Sequence, residues 1–102
     1  MGIKIGRYTF DGPYDSPEPL EDKSGVYAVL CLKSDGYYMI DIGESHEPKT
    51  RIKTHERKDC WIQNCDGKLR YAVYYTPHLQ QPGRMEIEQE LRDRYNPPCG
   101  KT

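Results

Sequence analysis

Two apolar runs joined by a turn signal constrain the fold of this chain more than any other feature. The run Val26–Lys33 is rich in β-branched and aliphatic residues, and Ser34-Asp35-Gly36 follows it with turn-forming residues. A second run of this kind, Tyr37–Gly43, comes directly after the turn. This order predicts an antiparallel β-hairpin, so the fold should be built around a sheet.

A third strand and a final helix are predicted in the second half of the chain. The run Leu69–Thr76 has strand composition. Ile87, Leu91 and Tyr95 recur at spacings of four, which predicts a helix over about 84–95 with one apolar face. Asn96-Pro97-Pro98 should end that helix, because the residue before a proline avoids the helical region.

A further helix is predicted between the hairpin and the third strand. Pro48 is suited to its first turn, and we expect the helix to continue past Arg51, His55 and Lys58 toward Trp61. Arg51 and His55, four positions apart, would then share one helical face. The predicted fold class is α+β, a small, mostly antiparallel three-stranded sheet flanked by helices in the order ββαβα.

The N-terminal region has a different composition. Residues 1–10 alternate loosely and predict a short edge strand, whereas residues 11–24 carry several prolines and acidic residues and predict an extended arm. The length of 102 residues fits one globular domain overall. Within it, we assign 1–24 to the N-terminal strand and arm and 25–102 to the main domain.

Charge and cysteine content exclude some classes of protein. The formal net charge of -1 argues against a general nucleic-acid coating protein, which would be strongly basic. No signal peptide is recognised, and no apolar run approaches the roughly 20 residues of a membrane span. We therefore expect a cytoplasmic protein without a membrane partner, in which the four cysteines are reduced, buried thiols.

Short motifs occur in a defined order along the predicted elements. Gly25-Val26-Tyr27 opens the first strand and Ile42-Gly43 closes the second; Arg51 follows Gly43 by eight positions, and Glu88 precedes Pro97 by nine. This ordered set resembles the GIY-YIG nuclease superfamily over about residues 25–100. The resemblance implies a metal-dependent DNA endonuclease with Mg²⁺ (or Mn²⁺) as cofactor and DNA as partner.

The residue types suit phosphodiester hydrolysis, which needs a metal, a cation for developing charge and a group that handles protons. Glu88 is a hard oxygen ligand for Mg²⁺, and Arg51 offers planar donors to a phosphate. The resemblance implies that Tyr27 helps to activate water, that His55 assists proton transfer, and that Arg51 and Glu88 contact phosphate and metal. Three further cations on the predicted helix are candidate nucleic-acid contacts: Lys53, Arg57 and Lys58.

Two positions depart from the family pattern. Asp41 stands where the second motif has a tyrosine, and Gly100 where asparagine is common. An ionised carboxylate cannot donate a hydrogen bond as a phenol does. Asp41 could add a metal ligand, act as the base, or repel phosphate and mark a lost activity. Tyr37 shares the strand face of Asp41 if side chains alternate without interruption, but it lies too far along to be equivalent.

Two alternatives to an active nuclease remain open. A catalytically degenerate nucleic-acid-binding module would keep the GIY-YIG fold without its chemistry. A zinc-stabilised interaction domain would use Cys60 and Cys65 with His55 and His78, although this spacing is at the loose edge of zinc patterns. The sequence predicts neither the preferred DNA structure nor the oligomeric state.

Overall fold

A five-stranded antiparallel sheet with three helices forms from residues 2–100, the part of the chain described by the computed structural model. The strands lie in the order β1-β2-β5-β3-β4, and each neighbouring pair is antiparallel. The strands are β1 (Gly2–Ile5), β2 (Tyr8–Tyr14), β3 (Gly25–Lys33), β4 (Gly36–Ser45) and β5 (Lys68–Tyr75). The helices are α1 (Pro48–Lys53), α2 (Lys58–Gln63) and α3 (Gln81–Tyr95).

The predicted three-stranded sheet in ββαβα order is wrong, although the α+β class and the antiparallel pairing are correct. The chain adds a hairpin, β1–β2, where one short strand was predicted. Gly6 reverses the chain between its strands with a φ of 60, a conformation that glycine adopts without steric cost. β2 then continues to Tyr14 and pairs with β5, so the first part of the predicted arm belongs to the sheet.

The single helix predicted from Pro48 toward Trp61 is also wrong. Pro48 does begin a helix, but α1 ends at Lys53 and α2 begins at Lys58. The Thr54 hydroxyl donates to the Thr50 carbonyl oxygen at 2.9 Å, a local bond that competes with helix continuation. His55 therefore lies in the link between α1 and α2, and it does not share a helical face with Arg51.

The elements with strong local patterns are confirmed. The β3–β4 hairpin, β5 and α3 occupy the predicted regions. Asn96 ends α3 with a φ of 47, and its backbone N–H donates to the Arg92 carbonyl oxygen. Left-handed asparagine is a common helix terminator, and the following prolines cannot continue the helix.

A register shift in the β3–β4 hairpin changes which side chains share a face. Val29 pairs with Asp41, whereas the next residue, Leu30, pairs with Met39, so Ile40 is an extra residue on β4. Tyr37 therefore lies on the Leu30 face and Asp41 on the Val29 face. The expectation that Tyr37 and Asp41 share a strand face is wrong, because simple alternation does not hold across this bulge.

The sheet has an apolar core on each face. On the α3 side, Ile87 and Leu91 pack against residues of all five strands: Ile5, Phe10, Val26, Ala28, Leu30, Ile42 and Ala72. On the α1/α2 side, Ile52 and Trp61 pack with Leu20 of the N-terminal arm and with Tyr27, Val29, Cys31, Ile40, Val73 and Cys99. We call the two faces of the sheet the α3 side and the α1/α2 side.

The four cysteines form two disulfides, so the prediction of free thiols is wrong. Cys31 of β3 is bonded to Cys65, and Cys60 of α2 to Cys99 near the C-terminus. The zinc hypothesis is wrong for the same reason, because neither Cys60 nor Cys65 retains a thiolate. Within residues 2–100 no helix is long and apolar enough to cross a membrane.

Candidate active site

A buried phenol and a buried imidazole form the centre of the candidate site. Tyr27 on β3 is 1% exposed, and its hydroxyl lies 2.6 Å from Nε2 of His55 in the α1–α2 link. Gly43 is its partner on β4. A Cβ at Gly43 would lie 2.2 Å from the Tyr27 hydroxyl oxygen, so glycine is required there to make room for the phenol.

The hydrogen bonds of His55 define its tautomer. The Arg57 backbone N–H donates to Nδ1 at 3.1 Å, so Nδ1 carries no proton. Burial, followed by the nearby Arg57 and Arg51 charges, lowers the His55 pKa to about 4. The ring is therefore neutral at pH 7 and holds its proton on Nε2, which donates to the Tyr27 oxygen. The Tyr27 proton is then free to face another acceptor.

The charges around Tyr27 come from both helical regions. Burial raises the Tyr27 pKa to about 12, with a further increase from Asp41 and a smaller one from Glu88, while Arg51 and Arg57 oppose it. The phenol is therefore protonated at neutral pH. The charges of Arg51 on α1 and Glu88 on α3 therefore both act on the Tyr27 pKa, in opposite directions.

Arg51 lies at the open side of this cluster. Its guanidinium donates two hydrogen bonds to Glu56, at 2.6 and 2.9 Å, and its side chain is 34% exposed. These bonds hold the pKa of Glu56 down at about 2. The Arg51 pKa is raised by Glu56 and further by Tyr27. A phosphate could replace the exposed Glu56 carboxylate, because exposed ion pairs contribute only about 0–1 kcal/mol.

Glu88 lines a cleft beside the edge strand β4. The cleft has a volume of about 360 Å³, and Arg92, Asp93, Asn96 and Gly100 also line it. The Glu88 side chain is 26% exposed and accepts a hydrogen bond from Arg92 Nε at 2.9 Å. One face of this carboxylate is thus bound by an arginine, while the cleft remains open to solvent.

Asp41 is the centre of a buried polar network rather than a group in the cleft. It has no exposed surface. Its carboxylate accepts from Trp61 Nε1 at 2.7 Å, from Arg57 Nε at 2.8 Å and from Arg92 Nη2 at 2.8 Å. The Ile42 N–H donates to it at 2.8 Å. We call Asp41, Arg57, Trp61 and Arg92 the Asp41 network.

Both oxygens of Asp41 are engaged, so a metal or a water could reach them only by breaking this network. Arg92 extends the network around the edge of the sheet, because it also donates to the carbonyl oxygens of Ile42 and Cys99. Gly100 is part of the same arrangement. A Cβ there would lie 2.4 Å from Arg92 Nη2 and 2.9 Å from Asp41 Oδ1, so a larger residue would collide with the network.

The chemistry of the donors fits a magnesium ion held mainly by water. Within residues 2–100, no group of three or more His, Cys, Asp or Glu side chains could hold a metal ion together. Mg²⁺ does not need such a group, because it keeps several waters and is bound through one or two carboxylates and substrate phosphates. Glu88 satisfies this requirement and Asp41 does not.

The three cations predicted to contact nucleic acid do not form a continuous basic surface. Arg57 is turned inward to Asp41. Lys53 pairs with Glu18 of the N-terminal arm at 3.1 Å, and the Lys58 ammonium donates to the Lys53 carbonyl oxygen. Only Lys53 and Lys58 therefore lie at the surface, beside the acidic arm rather than beside Tyr27.

The sequence analysis did not identify Arg57 and Arg92 as partners of Asp41. Arg92 follows Glu88 by four positions, so its pairing with Glu88 could be inferred, but its bond to Asp41 joins residues far apart in the chain. Trp61 is buried, but its indole N–H partner carries no local sequence signal.

No family model, curated protein or solved structure matches this chain.

Proposed function

We propose that this protein is a metal-dependent endonuclease of the GIY-YIG kind that hydrolyses phosphodiester bonds in DNA. One observation carries the proposal: the Tyr27 hydroxyl, held by His55 at 2.6 Å, lies within the electrostatic reach of both Arg51 and Glu88. A phenol whose pKa responds to the charges of both a guanidinium and a carboxylate brings together the residue types that phosphoryl chemistry needs.

Each of these residues has a defined role in the proposed reaction. The His55 Nε2–H group donates a hydrogen bond to the Tyr27 oxygen. This bond fixes the position of the phenol ring and the direction of its O–H group. That O–H orients the attacking water or donates to a phosphate oxygen. Arg51 exchanges Glu56 for the phosphate and stabilises the developing charge. Glu88 would hold Mg²⁺ or Mn²⁺, which supplies Lewis-acid stabilisation when bound.

Arg92 positions Glu88 from the buried side. Its guanidinium bonds to Glu88 at 2.9 Å and to Asp41 at 2.8 Å, which joins the carboxylate in the cleft to the centre of the Asp41 network. In this proposal Asp41, which stands where the second motif has a tyrosine, has a structural role instead of a catalytic one. It supplies the counterion that holds Arg57 and Arg92 near the reacting phosphate.

The decisive experiment compares two substitutions on α3. We expect Glu88→Gln to reduce nicking of plasmid, branched and single-stranded DNA with Mg²⁺ or Mn²⁺ by about 100-fold or more, because the metal loses its carboxylate. Glu90→Gln is the matched control, because Glu90 pairs with Arg7 and Tyr8 away from the cleft. Full activity of Glu88→Gln would exclude the assigned role.

A catalytically degenerate DNA-binding module is the second candidate, favoured by the enclosure of Tyr27 and Asp41 at 1% and 0% exposure. Metal-independent DNA binding by a protein that cleaves none of these substrates would support it, provided that Arg51→Ala weakens the binding. Asp41→Tyr is a poor test of lost catalysis, because it also removes the partner of Arg57, Arg92 and Trp61.

Location in the cytoplasm stays a prediction. The disulfides Cys31–Cys65 and Cys60–Cys99 weigh against it, because cytosolic thiols are kept reduced and disulfides persist in oxidising compartments.

A further inference from the structure

A groove on the α3 side of the sheet lies outside the candidate active site. The groove lies at the C-terminal end of α3, where Tyr95 lines it. The groove has a volume of about 140 Å³ and is lined by β1 residues from Ile3 to Ile5 and by Leu30, Tyr37, Met39 and Tyr95. Its two tyrosines are 44% and 37% exposed, respectively.

Cations continue this surface across the sheet. On β5, Arg70 pairs with Leu30 and Lys68 with Leu32, so both cations are neighbours of the groove on the same face. They line a second cleft of about 500 Å³ with Leu32, Lys33 and Asp66, and the Asp66 carboxylate pairs with the Lys33 ammonium at 2.9 Å. Aromatic rings are thus flanked by positive charge on a protein whose net charge is -1.

We propose that this surface binds an unpaired segment of nucleic acid, with bases stacked on Tyr37 and Tyr95 and phosphates beside Lys68 and Arg70. Single strands are recognised by aromatic side chains combined with cations that follow the backbone. A duplex has its bases stacked internally, so it cannot offer them to the two rings. The charge of the surface complements a phosphate chain, which favours this occupant over an uncharged apolar peptide.

The position of the groove links it to the candidate active site. Tyr95 lines the groove, while the next residue, Asn96, lines the cleft of Glu88. A strand that leaves the groove around the end of α3 therefore arrives at Glu88. Resting on the proposed nuclease function, this makes the substrate a DNA with an unpaired segment, such as a flap or a single strand.

The test uses two adjacent tyrosines on opposite faces of β4. Tyr37 and Tyr38 are 44% and 43% exposed, but Tyr38 pairs with Cys31 and so faces the α1/α2 side. We expect Tyr37→Ala to weaken binding of a fluorescent oligothymidylate by at least about fivefold, the typical effect of losing one stacked base. Tyr38→Ala should leave the affinity unchanged, with both variants checked for equal thermal stability.

The charge component has its own measurement. Arg70→Gln should weaken binding and reduce the slope of log Kd against log salt by about 0.7, the value for one single-strand phosphate contact. Lys23→Gln in the N-terminal arm is the control, because Lys23 is an exposed cation paired with Glu21. Equal affinity for duplex and single strand would contradict the proposal that the groove binds an unpaired segment. Equal effects of Tyr37→Ala and Tyr38→Ala would contradict it as well.

The outcomes separate this inference from the proposed nuclease function. If Tyr37→Ala binds the oligothymidylate as the wild type does while Glu88-dependent cleavage persists, the groove does not bind single strands. The proposed nuclease function is then still supported. If Tyr37→Ala loses binding but the wild type cleaves no DNA, the groove stands and the binding module replaces the nuclease. If Tyr37→Ala loses oligothymidylate binding and its cleavage falls further below the wild type on flaps than on nicked duplex, both proposals are supported.

Discussion

The two faces of the sheet are buried by different means. On the α3 side, the buried positions of the core cluster are apolar, from Phe10 to Leu91. On the α1/α2 side, the core also encloses Asp41 and His55, which are 0% and 4% exposed, respectively. The apolar core on the α3 side needs good packing, and the same side carries one largely buried ion pair, Arg84–Glu44, with side chains 9% and 13% exposed. The polar face needs a partner for every buried donor and acceptor, because each unmatched group costs free energy.

This contrast explains how a strand position can accept a carboxylate. Burying an ionised aspartate is unfavourable unless it is paired and hydrogen-bonded. Asp41 meets both conditions, because Arg57 and Arg92 supply charge and Trp61 supplies an indole N–H. These partners come from the α1–α2 region and from α3, so the carboxylate also joins the helices on the two faces. The polar face should therefore be less tolerant of single changes than the apolar one.

Substitution of the central carboxylate should produce the largest loss of stability. Asp41→Asn leaves the Arg57 and Arg92 charges without their counterion, and we expect unfolding by urea to show a loss of about 3–5 kcal/mol. Asp93→Asn on the exposed side of α3 is the control and should change stability by less than about 0.5 kcal/mol. A nearly neutral Asp41→Asn would mean that the network does not hold the two faces together.

The apolar face should respond through its packing alone. Leu91 is fully buried, and Leu91→Ala should cost about 2–4 kcal/mol through lost transfer free energy and the cavity left behind. Because no charge is involved, this loss should be the same at low and high salt, whereas the loss for Asp41→Asn should vary with salt. Equal salt dependence of the two variants would remove the distinction between the faces.

The same contrast determines what the sequence could predict. The β3–β4 hairpin, β5 and α3 follow local periodicity, and each was predictable because its apolar residues recur at strand or helix spacing. The β1–β2 hairpin was missed because β1 has only four residues, although Gly6, the first of two turn residues, is a hairpin signal. The single helix predicted from Pro48 toward Trp61 was wrong because it passed over Thr54, whose hydroxyl bonds to the Thr50 carbonyl oxygen where α1 ends.

For the candidate site, the sequence could predict only which residue types occur and in what order along the chain. Tyr27, Arg51, His55 and Glu88 could be singled out from their order and spacing. In the structure the Tyr27 hydroxyl contacts His55, and the charges of Arg51 and Glu88 both act on the Tyr27 pKa. The role of Asp41 could not be foreseen, because its partners lie 16, 20 and 51 positions away. The disulfide pairing of the cysteines is a property of the tertiary fold for the same reason.

Acidification should weaken the polar face through His55. The unfolded histidine takes up a proton below its ordinary pKa of about 6.5, whereas the folded one does so only below about 4. Unfolding therefore binds a proton between these values, and stability should fall as the pH is lowered from 6.5 toward 4. The slope approaches about 1.4 kcal/mol per pH unit, and the total about 3 kcal/mol.

The variant that isolates this effect is His55→Gln. Its stability should be flatter between pH 6.5 and 4.5 than that of the wild type, whatever its absolute value. The carboxylate of Glu56 contributes in a lower window, because its folded pKa of about 2 lies below the ordinary value of 4.5 and its contribution is lost as the pH falls through that range. An equally steep curve for His55→Gln above pH 4.5 would assign the effect to other groups.

The smallest effect on stability should come from the exposed pair at the mouth of the site. Glu56→Gln removes the partner of Arg51, and because the Glu56 side chain is 63% exposed, we expect a stability change within about 1 kcal/mol. DNA binding should respond in the opposite direction. Arg51 no longer has to exchange a carboxylate for the phosphate, so the affinity for DNA should increase severalfold at low salt and less at high salt.

Glu47→Gln is the matched control, because Glu47 is also exposed near α1 but pairs with His46 rather than with an arginine. It removes the same charge from the surface, so any general gain in attraction for DNA appears in both variants. Only the excess gain of Glu56→Gln reports on Arg51. If the two variants bind DNA equally well, Arg51 does not contact the phosphate, and the polar face serves stability without serving the proposed reaction.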